Sequence, residues 1–283
     1  MDNDLFFSLP ELTAYIEPSI NGGKPNEDCS YDRLYIDPEL KINKKLIKHV
    51  SYKLNNNAHR SDDFKKLNPD KTNILYAGCS VTFGQYLPEK YSWPYHLHEY
   101  LQTKFDVNEV NTLAFPGASI SKIVNNILKY IDQYGAPDYI FFLIPDPFRY
   151  VLPTENGDTF QPVITYASHT GINSDCKPYR GVFESQQAFR ILNMVCKWNN
   201  IKMYSYSWDS LTNKIFTKLE LNNSDSINLL GSDKIPKELD LDKLLKYDKG
   251  FFINAADGLH PGLIENISYA NNFIEMMEND KEN

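Results

Sequence analysis

The stretch Asn73-Ile-Leu-Tyr-Ala-Gly-Cys-Ser-Val-Thr-Phe-Gly84 decides the fold of this 283-residue chain. Its apolar run, residues 74–77, predicts a buried strand, and the small residues Gly78, Cys79 and Ser80 follow at once. A helix-like segment comes next, so Ser80 stands at the carboxyl end of the predicted strand. Open α/β sheets carry their binding sites at that edge.

From residue 73 onward, apolar runs alternate with segments of helical periodicity. The predicted strands are 74–77, 109–114, 139–144, 201–206 and 250–253, and the predicted helices are 92–105, 119–134, 184–198 and 263–277. Strands that alternate with helices of this length indicate right-handed βαβ crossovers and a parallel sheet. We therefore expect an α/β fold, a flavodoxin-like doubly wound parallel sheet of about five strands flanked by helices.

The ends of two helices carry recognisable signals. Ser92 and Ser119 are predicted N-caps, with Pro94 in the first turn after Ser92. Gly135 is the predicted stop of the helix that Ser119 begins.

Long irregular stretches surround this core. Residues 1–70, punctuated by prolines, are predicted to form an irregular N-terminal extension packed on a domain that spans 71–283. Within the extension, 39–50 fits either a strand or a short helix. Two insertions are expected, a loop or hairpin at 151–182 and an irregular excursion at 208–250.

The bulk composition excludes several classes of protein. A net charge of −8 argues against a nucleic-acid binder, which is normally basic. The N-terminus carries acids where a signal peptide has a basic region, and no apolar run approaches the ~20 residues of a membrane span. We expect a cytoplasmic protein with no nucleic-acid and no membrane partner. Release by lysis and association with a virus particle stay open.

The cysteines show no metal-like pattern. Cys29, Cys79, Cys176 and Cys196 lack CxxC spacing and clustering, which indicates free thiols in a reducing compartment. We expect no metal and no cofactor. Cys79 is an alternative nucleophile beside Ser80, but Ser80 fits the surrounding motif better.

Three residue types of a serine hydrolase occur in this chain. Asp257-Gly-Leu-His260 lies near its far end, followed by Pro261 and Gly262. A serine hydroxyl needs a neighbouring base, usually histidine, which a carboxylate orients. At a separation of three residues, Asp257 can accept a hydrogen bond from one imidazole nitrogen of His260 while the other faces Ser80.

These two motifs resemble the SGNH (GDSL-type) hydrolase family, whose first block is GDSxTxG and whose last is DxxHP. Gly78, Ser80, Thr82 and Gly84 match the first block, with Cys79 in place of its aspartate. Asp257-Gly-Leu-His260-Pro261 matches the last in full. The resemblance implies Ser80 as nucleophile, His260 as base and Asp257 as the residue that orients it. Arg60-Ser-Asp-Asp-Phe64 also resembles a segment found upstream of the serine block in some members.

The middle blocks of the family match less well. Phe115-Pro-Gly117-Ala-Ser119 stands where the family has its second-block glycine, which implies an oxyanion hole built from the backbone N–H groups of Ser80 and Gly117. The third block, usually GxND, is Leu143-Ile-Pro-Asp146-Pro-Phe-Arg149 here. An ionised Asp146 is an acceptor and a poor oxyanion ligand. Asp146 and Arg149 are candidate substrate-binding residues, and the alternatives are a local salt bridge or a role in fixing the loop.

The sequence therefore predicts an SGNH-type serine ester hydrolase. The expected substrate is a short acyl ester, acetyl or similar, on a carbohydrate or small molecule. The alternative is a catalytically weak or inactive SGNH-fold module for binding or assembly, for instance in a virus particle. A flavodoxin-like nucleotide binder is disfavoured because no Gly-rich phosphate loop is present. The sequence indicates no oligomeric state.

Overall fold

A computed structural model describes residues 28–30, 50–153, 160–163, 178–208, 212–213, 216, 255 and 260–280. The strands in chain order are β1 (Asp28–Ser30), β2 (Ser51–Lys53), β3 (Ile74–Gly78), β4 (Asn111–Ala114), β5 (Tyr139–Leu143), β6 (Tyr150–Pro153), β7 (Phe160–Val163) and β8 (Lys202–Tyr206). The α-helices are α1 (Ser80–Phe83), α2 (Trp93–Gln102), α3 (Ile120–Tyr134), α4 (Pro178–Trp198) and α5 (Leu263–Asn279), and a 3₁₀ turn covers Glu89–Tyr91.

Four of these strands form one parallel sheet in the order β4-β3-β5-β8. The chain enters the sheet at β3, moves outward to β4, and returns across β3 to β5. That reversal is the switch point of a flavodoxin-like sheet, where a crevice opens at the carboxyl ends of the strands. The predicted α/β fold is confirmed, and Ser80 follows the strand at which the order reverses.

Helices cover both faces of the sheet. Phe141 of β5 packs edge-on against Phe273 of α5, and the next residue, Phe142, stacks on Phe189 of α4. Successive side chains of a strand point to opposite faces, so these two contacts lie on the two sides of the sheet. An apolar run buried on both faces is typical of a central parallel strand.

Helix α3 begins and ends where the sequence predicts. The Ser119 hydroxyl accepts a hydrogen bond from the Lys122 N–H at 3.2 Å, which satisfies one free donor of the first turn. Gly135 ends the helix with a φ of 115°. Ser92 likewise occupies the N-cap position of α2, but its hydroxyl donates to the Glu89 carbonyl at 2.7 Å instead of capping the helix.

The predicted start of α4 at residue 184 is wrong. The helix begins at Pro178 and takes in residues 178–182, which the sequence suggests are loop. Gly181 is a turn signal in the sequence, but here its missing side chain lets the helix approach the backbone of Phe148, where a Cβ would lie 2.9 Å from that residue's Cα. The preceding insertion does contain a hairpin, since β6 and β7 pair antiparallel.

The N-terminal segment is less irregular than predicted, because β1 and β2 pair antiparallel within it. Residues just after them run along the edge of the sheet. The Ser61 hydroxyl donates to the Val110 carbonyl and accepts from the Thr112 N–H, both at 2.9 Å, and Asp62 Oδ2 accepts from the Val110 N–H at 2.9 Å. The division of the chain at residue 70 stays a prediction.

Several predicted features lie outside the described residues. These are the strand at 250–253, residues 39–49 and most of the 208–250 insertion. In the described part of the chain, no helix is both long and apolar enough to cross a membrane.

Candidate functional site

Ser80 begins α1 directly after the central strand β3. The residue is only 8% exposed, and its Oγ lies 3.8 Å from Cys79 Sγ. The strand ends at Gly78 and the helix begins at Ser80, so the hydroxyl lies at the switch point of the sheet. Within the described part of the chain, its side-chain contact is a weak one to sulfur.

Close packing explains the small residues of this turn. Gly78 has no room for a side chain, because a Cβ there would overlap Thr82 Oγ1 and lie 2.9 Å from the carbonyl oxygen of Leu143. Thr82 is 1% exposed, and its hydroxyl oxygen accepts a hydrogen bond from Trp93 Nε1 at 3.2 Å. The Gly-x-x-x-Thr spacing is thus what a close strand-to-helix turn requires.

Arg60 holds the other end of the turn. Its Nη1 donates to the carbonyl oxygens of Phe83 at 3.0 Å and Gly84 at 2.7 Å, and its Nη2 donates to that of Leu87 at 2.9 Å. The guanidinium also lies over the ring of Tyr52, 4.7 Å from its centroid. Gly84 adopts a φ of 66°, a conformation that favours glycine. A buried cation therefore satisfies carbonyls that α1 leaves unpaired.

Tyr86 links this turn to the last predicted motif. Its φ of 61° is unusual for a bulky residue, and the Tyr52 hydroxyl accepts a hydrogen bond from its N–H at 2.7 Å. The Tyr86 ring lies 5.4 Å from the His260 ring, centroid to centroid. The neighbouring Gln85 donates its N–H to the Ser80 carbonyl at 3.0 Å. The structure thus brings His260 against the loop that Ser80 begins.

Asp257 lies outside the described residues. The residues that flank it are hydrogen-bonded to each other, since the Ala255 N–H donates to the His260 carbonyl at 2.9 Å. His260 is half-buried and stands three residues before the start of α5 at Leu263. The role of Asp257 as the orienting carboxylate stays a prediction.

Gly117 lies on the loop that follows β4, the strand that pairs with β3. The Phe115 N–H donates to the Gly78 carbonyl at 3.1 Å, which joins the ends of β3 and β4, and the Ala118 N–H donates back to the Phe115 carbonyl at 3.0 Å. Gly117, between them, has a φ of 74°. Among the described residues, nothing accepts a hydrogen bond from the N–H of Gly117 or of Ser80. Two unused backbone donors therefore lie on neighbouring loops.

The two candidate residues of the third predicted block, Asp146 and Arg149, contact different loops. Asp146 Oδ1 accepts a hydrogen bond from the Phe148 N–H at 2.8 Å, so this carboxylate oxygen faces its own loop. Arg149 instead reaches the Gly117 loop, where its Nη1 donates to the Ala118 carbonyl at 3.3 Å. The two side chains form no salt bridge within the described residues, so the first alternative, a local ion pair, does not form. The second alternative, a role in fixing the loop, fits the hydrogen bond of Asp146.

Sequence reasoning missed the residues that support the site. Tyr86 and Tyr52 carry no motif, and nothing in a sequence signals a tyrosine with positive φ. Tyr269 of α5 was missed as well. Burial, with added effects of Glu265 and Cys79, raises the pKa of Tyr269 well above its ordinary value, so this phenol is neutral at physiological pH. A neutral phenol can donate a hydrogen bond.

The described residues contain no set of side chains suited to bind a metal ion. No group of three or more His, Cys, Asp or Glu side chains there is arranged to hold an ion. Cys79 and Cys196 are free and buried, and burial raises the pKa of Cys196 to about 12.

Comparisons with known proteins give matches among solved structures alone. No family model matches the chain, and no curated protein matches it. A psychrotrophic esterase of a Pseudoalteromonas species, inhibited by monoethylphosphonate, is 13% identical over 75% of this chain and 100% of its own, with a TM-score of 0.42. An acetyl xylan esterase, AlAXEase, is 14% identical over 72% of this chain and 98% of its own, with a TM-score of 0.41. Because both scores lie below 0.5, we base the function on the geometry of the site.

Proposed function

We propose that this protein is a serine ester hydrolase with Ser80 as nucleophile, His260 as general base and Asp257 as the carboxylate that orients it. The observation that carries the proposal is the position of Ser80. Its hydroxyl stands at the switch point of the sheet, on a turn clamped at both ends, with the His260 ring packed on the same loop. Such a crevice is where open α/β sheets bind substrates.

The chemistry follows from the residue types. Ser80 Oγ attacks the carbonyl carbon of the ester while His260 takes the hydroxyl proton. The tetrahedral intermediate places negative charge on the former carbonyl oxygen, and the unused N–H groups of Ser80 and Gly117 are suited to bind it. His260 then gives its proton to the departing alcohol. Water attacks the acyl-enzyme by the same route in reverse and releases the acid.

The substrate class in this proposal is a short acyl ester, acetyl or similar, on a carbohydrate or small molecule. Ser80 is only 8% exposed, which favours a small acyl group. No cofactor enters the proposed reaction, because proton transfer and nucleophilic attack need only these side chains.

The test is covalent labelling with a fluorophosphonate probe, together with hydrolysis of p-nitrophenyl acetate. We expect the wild type to be labelled, and Ser80→Ala to lose both labelling and turnover by about 10³-fold or more. His260→Ala and Asp257→Asn should lose turnover while keeping the wild-type circular dichroism spectrum. Cys79→Ala is the matched control, because its thiol adjoins Ser80 but should be dispensable.

One alternative has an observation in its favour. A block-three asparagine is missing, and the Asp146 carboxylate that replaces it is an acceptor. An inactive module for binding or assembly would show no labelling of Ser80 between pH 6 and 9. Labelling that survives Ser80→Ala but disappears in Cys79→Ala would instead assign the cysteine as nucleophile.

A further inference from the structure

Arg149 lies at the edge of the candidate site with most of its hydrogen-bonding capacity unused. The residue is half-buried on the loop after β5. The one hydrogen bond of its side chain within the described residues joins Nη1 to the Ala118 carbonyl at 3.3 Å. Its Nε exposes less than 1 Å² to solvent and has no hydrogen-bond partner. A guanidinium carries five donors, so this environment leaves it under-satisfied.

The charge of Arg149 is also uncompensated. No carboxylate among the described residues lies within 4.0 Å of its guanidinium. Asp146, on the same loop, accepts from the Phe148 N–H, and Glu184 of the nearby helix pairs with Arg180 at 2.7 Å. The chain has 37 acidic and 29 basic residues, so acids are not scarce. A partly buried charge without a counter-ion is costly, and proteins keep such groups where a ligand completes them.

Arg60 shows what a structural arginine looks like in this protein. It makes three hydrogen bonds of 2.7–3.0 Å to backbone carbonyls and stacks on the Tyr52 ring. Arg149 has one longer bond and no stacked ring within the described residues. A buried Nε without a hydrogen bond is found in both arginines, so the difference lies in the rest of the guanidinium: three carbonyls and a ring contact that of Arg60, and one carbonyl contacts that of Arg149.

The position of Arg149 indicates the chemical class of its ligand. Its guanidinium donates to the carbonyl of Ala118, the residue after Gly117, whose N–H has no acceptor among the described residues. We propose that Arg149 is a specificity-determining residue that binds an anionic group, such as a carboxylate, carried by the ester substrate. This inference rests on the proposed function of Ser80. The planar fork of an arginine suits a carboxylate, which it can bind with two parallel hydrogen bonds.

The experiment compares two p-nitrophenyl esters of equal length. One is mono-p-nitrophenyl succinate, and the other is its neutral methyl ester. We expect the wild type to favour the anionic ester in kcat/KM. Arg149→Gln should lower kcat/KM for the anionic ester by roughly 10- to 100-fold, the range of a hydrogen bond to a charged group, and leave that for the neutral ester within about 3-fold. Arg149→Lys should keep part of the preference. Arg190→Gln, which removes an exposed charge from α4, is the matched control.

The outcomes separate this inference from the proposed function. Equal kcat/KM for the two esters in a wild type whose Ser80 is labelled would overturn the role of Arg149 and leave the hydrolase intact. A wild type that hydrolyses neither ester would be tested by calorimetry, with monomethyl succinate and dimethyl succinate as ligands. Tighter binding of the anion, lost in Arg149→Gln, supports the inference, and equal or absent binding overturns it.

Discussion

Arg60 donates through Nη1 to the carbonyl oxygen of Gly84 at 2.7 Å, across 24 residues of sequence. A residue of the N-terminal segment thereby holds the end of the turn that begins at Ser80. The same guanidinium reaches the carbonyl of Leu87, beyond the point where Tyr86 contacts His260. One buried cation therefore stabilises both the nucleophile turn and the surface against which the proposed base packs.

Replacing Arg60 should weaken the fold and the site together. Arg60→Met removes the donor of the Phe83 and Leu87 carbonyls and one of the two donors of the Gly84 carbonyl, so we expect the free energy of unfolding to fall by at least about 2 kcal/mol. Arg60→Lys keeps the charge but lacks the planar fork, and should recover only part of the loss. Urea denaturation measures the first effect, and the rate of fluorophosphonate labelling measures displacement of Ser80. Wild-type values of both in Arg60→Met would show that the hydrogen bonds contribute nothing.

Gly117→Ala tests whether the N–H of Gly117 contributes to catalysis in addition to the backbone strain at this position. At a φ of 74° an alanine is strained, although its Cβ would meet nothing within 4 Å, so we expect a loss of about 1 kcal/mol in stability. A shift of the Gly117 N–H should also slow turnover of p-nitrophenyl acetate, because complete loss of an oxyanion donor lowers the rate by about 10²–10³-fold.

Gly135→Ala is the matched control for that variant. Gly135 has a φ of 115° and ends α3, away from Ser80, so it should lose stability and keep full turnover. If both variants lose turnover equally, the Gly117 N–H has no special role.

Much of the sheet was predictable because each strand is signalled locally. The runs at β3 and β5 are apolar and short, and the helix α3 carries both its cap, Ser119, and its stop, Gly135. Such features depend on neighbours in sequence, and the structure confirms them. The small residues at Gly78 and Thr82 were recognised as a motif, and their reason is a contact within five residues.

The rest depends on contacts between distant segments. The strand order β4-β3-β5-β8 depends on tertiary packing, and it decides that Ser80 lies at the switch point. The sequence predicts the start of α4 too late, because a glycine such as Gly181 is typical of a loop. In the structure, this glycine instead lets the helix approach the backbone of Phe148. The positive φ of Tyr86 is likewise imposed by its surroundings.

His98 should make the protein less stable in acid. It is 5% exposed, and its Nδ1 lies 3.1 Å from the hydroxyl of Tyr76, within hydrogen-bond distance; the direction of this bond follows the imidazole tautomer. Burial lowers the pKa of His98 below 6.5, and Asp62 opposes this in part. Between the lowered value and 6.5 the unfolded chain binds more protons, so stability falls as the pH drops through that window.

Urea denaturation at several pH values from 7.5 downward measures this effect. His98→Gln, which can still form a hydrogen bond with Tyr76, should show a smaller loss of stability below pH 6.5 than the wild type. Carboxylates such as Glu109, whose pKa is lowered by a backbone hydrogen bond, act in a separate window below 4.5. Identical pH dependence in the two proteins would show that His98 does not titrate on unfolding.

Asp146→Asn should raise the rate of ester hydrolysis. An asparagine can keep the Phe148 N–H bond through Oδ1 and present its NH₂ where the second carboxylate oxygen now lies. A new donor there, in place of an acceptor, would favour the oxyanion, and we expect kcat for p-nitrophenyl acetate to rise by about 10-fold, part of the ~10²–10³ that a well-placed donor contributes. Asp106→Asn, at an exposed position paired with Lys71, is the matched control and should change nothing. An unchanged or lower kcat in Asp146→Asn would mean that residue 146 does not face the oxyanion.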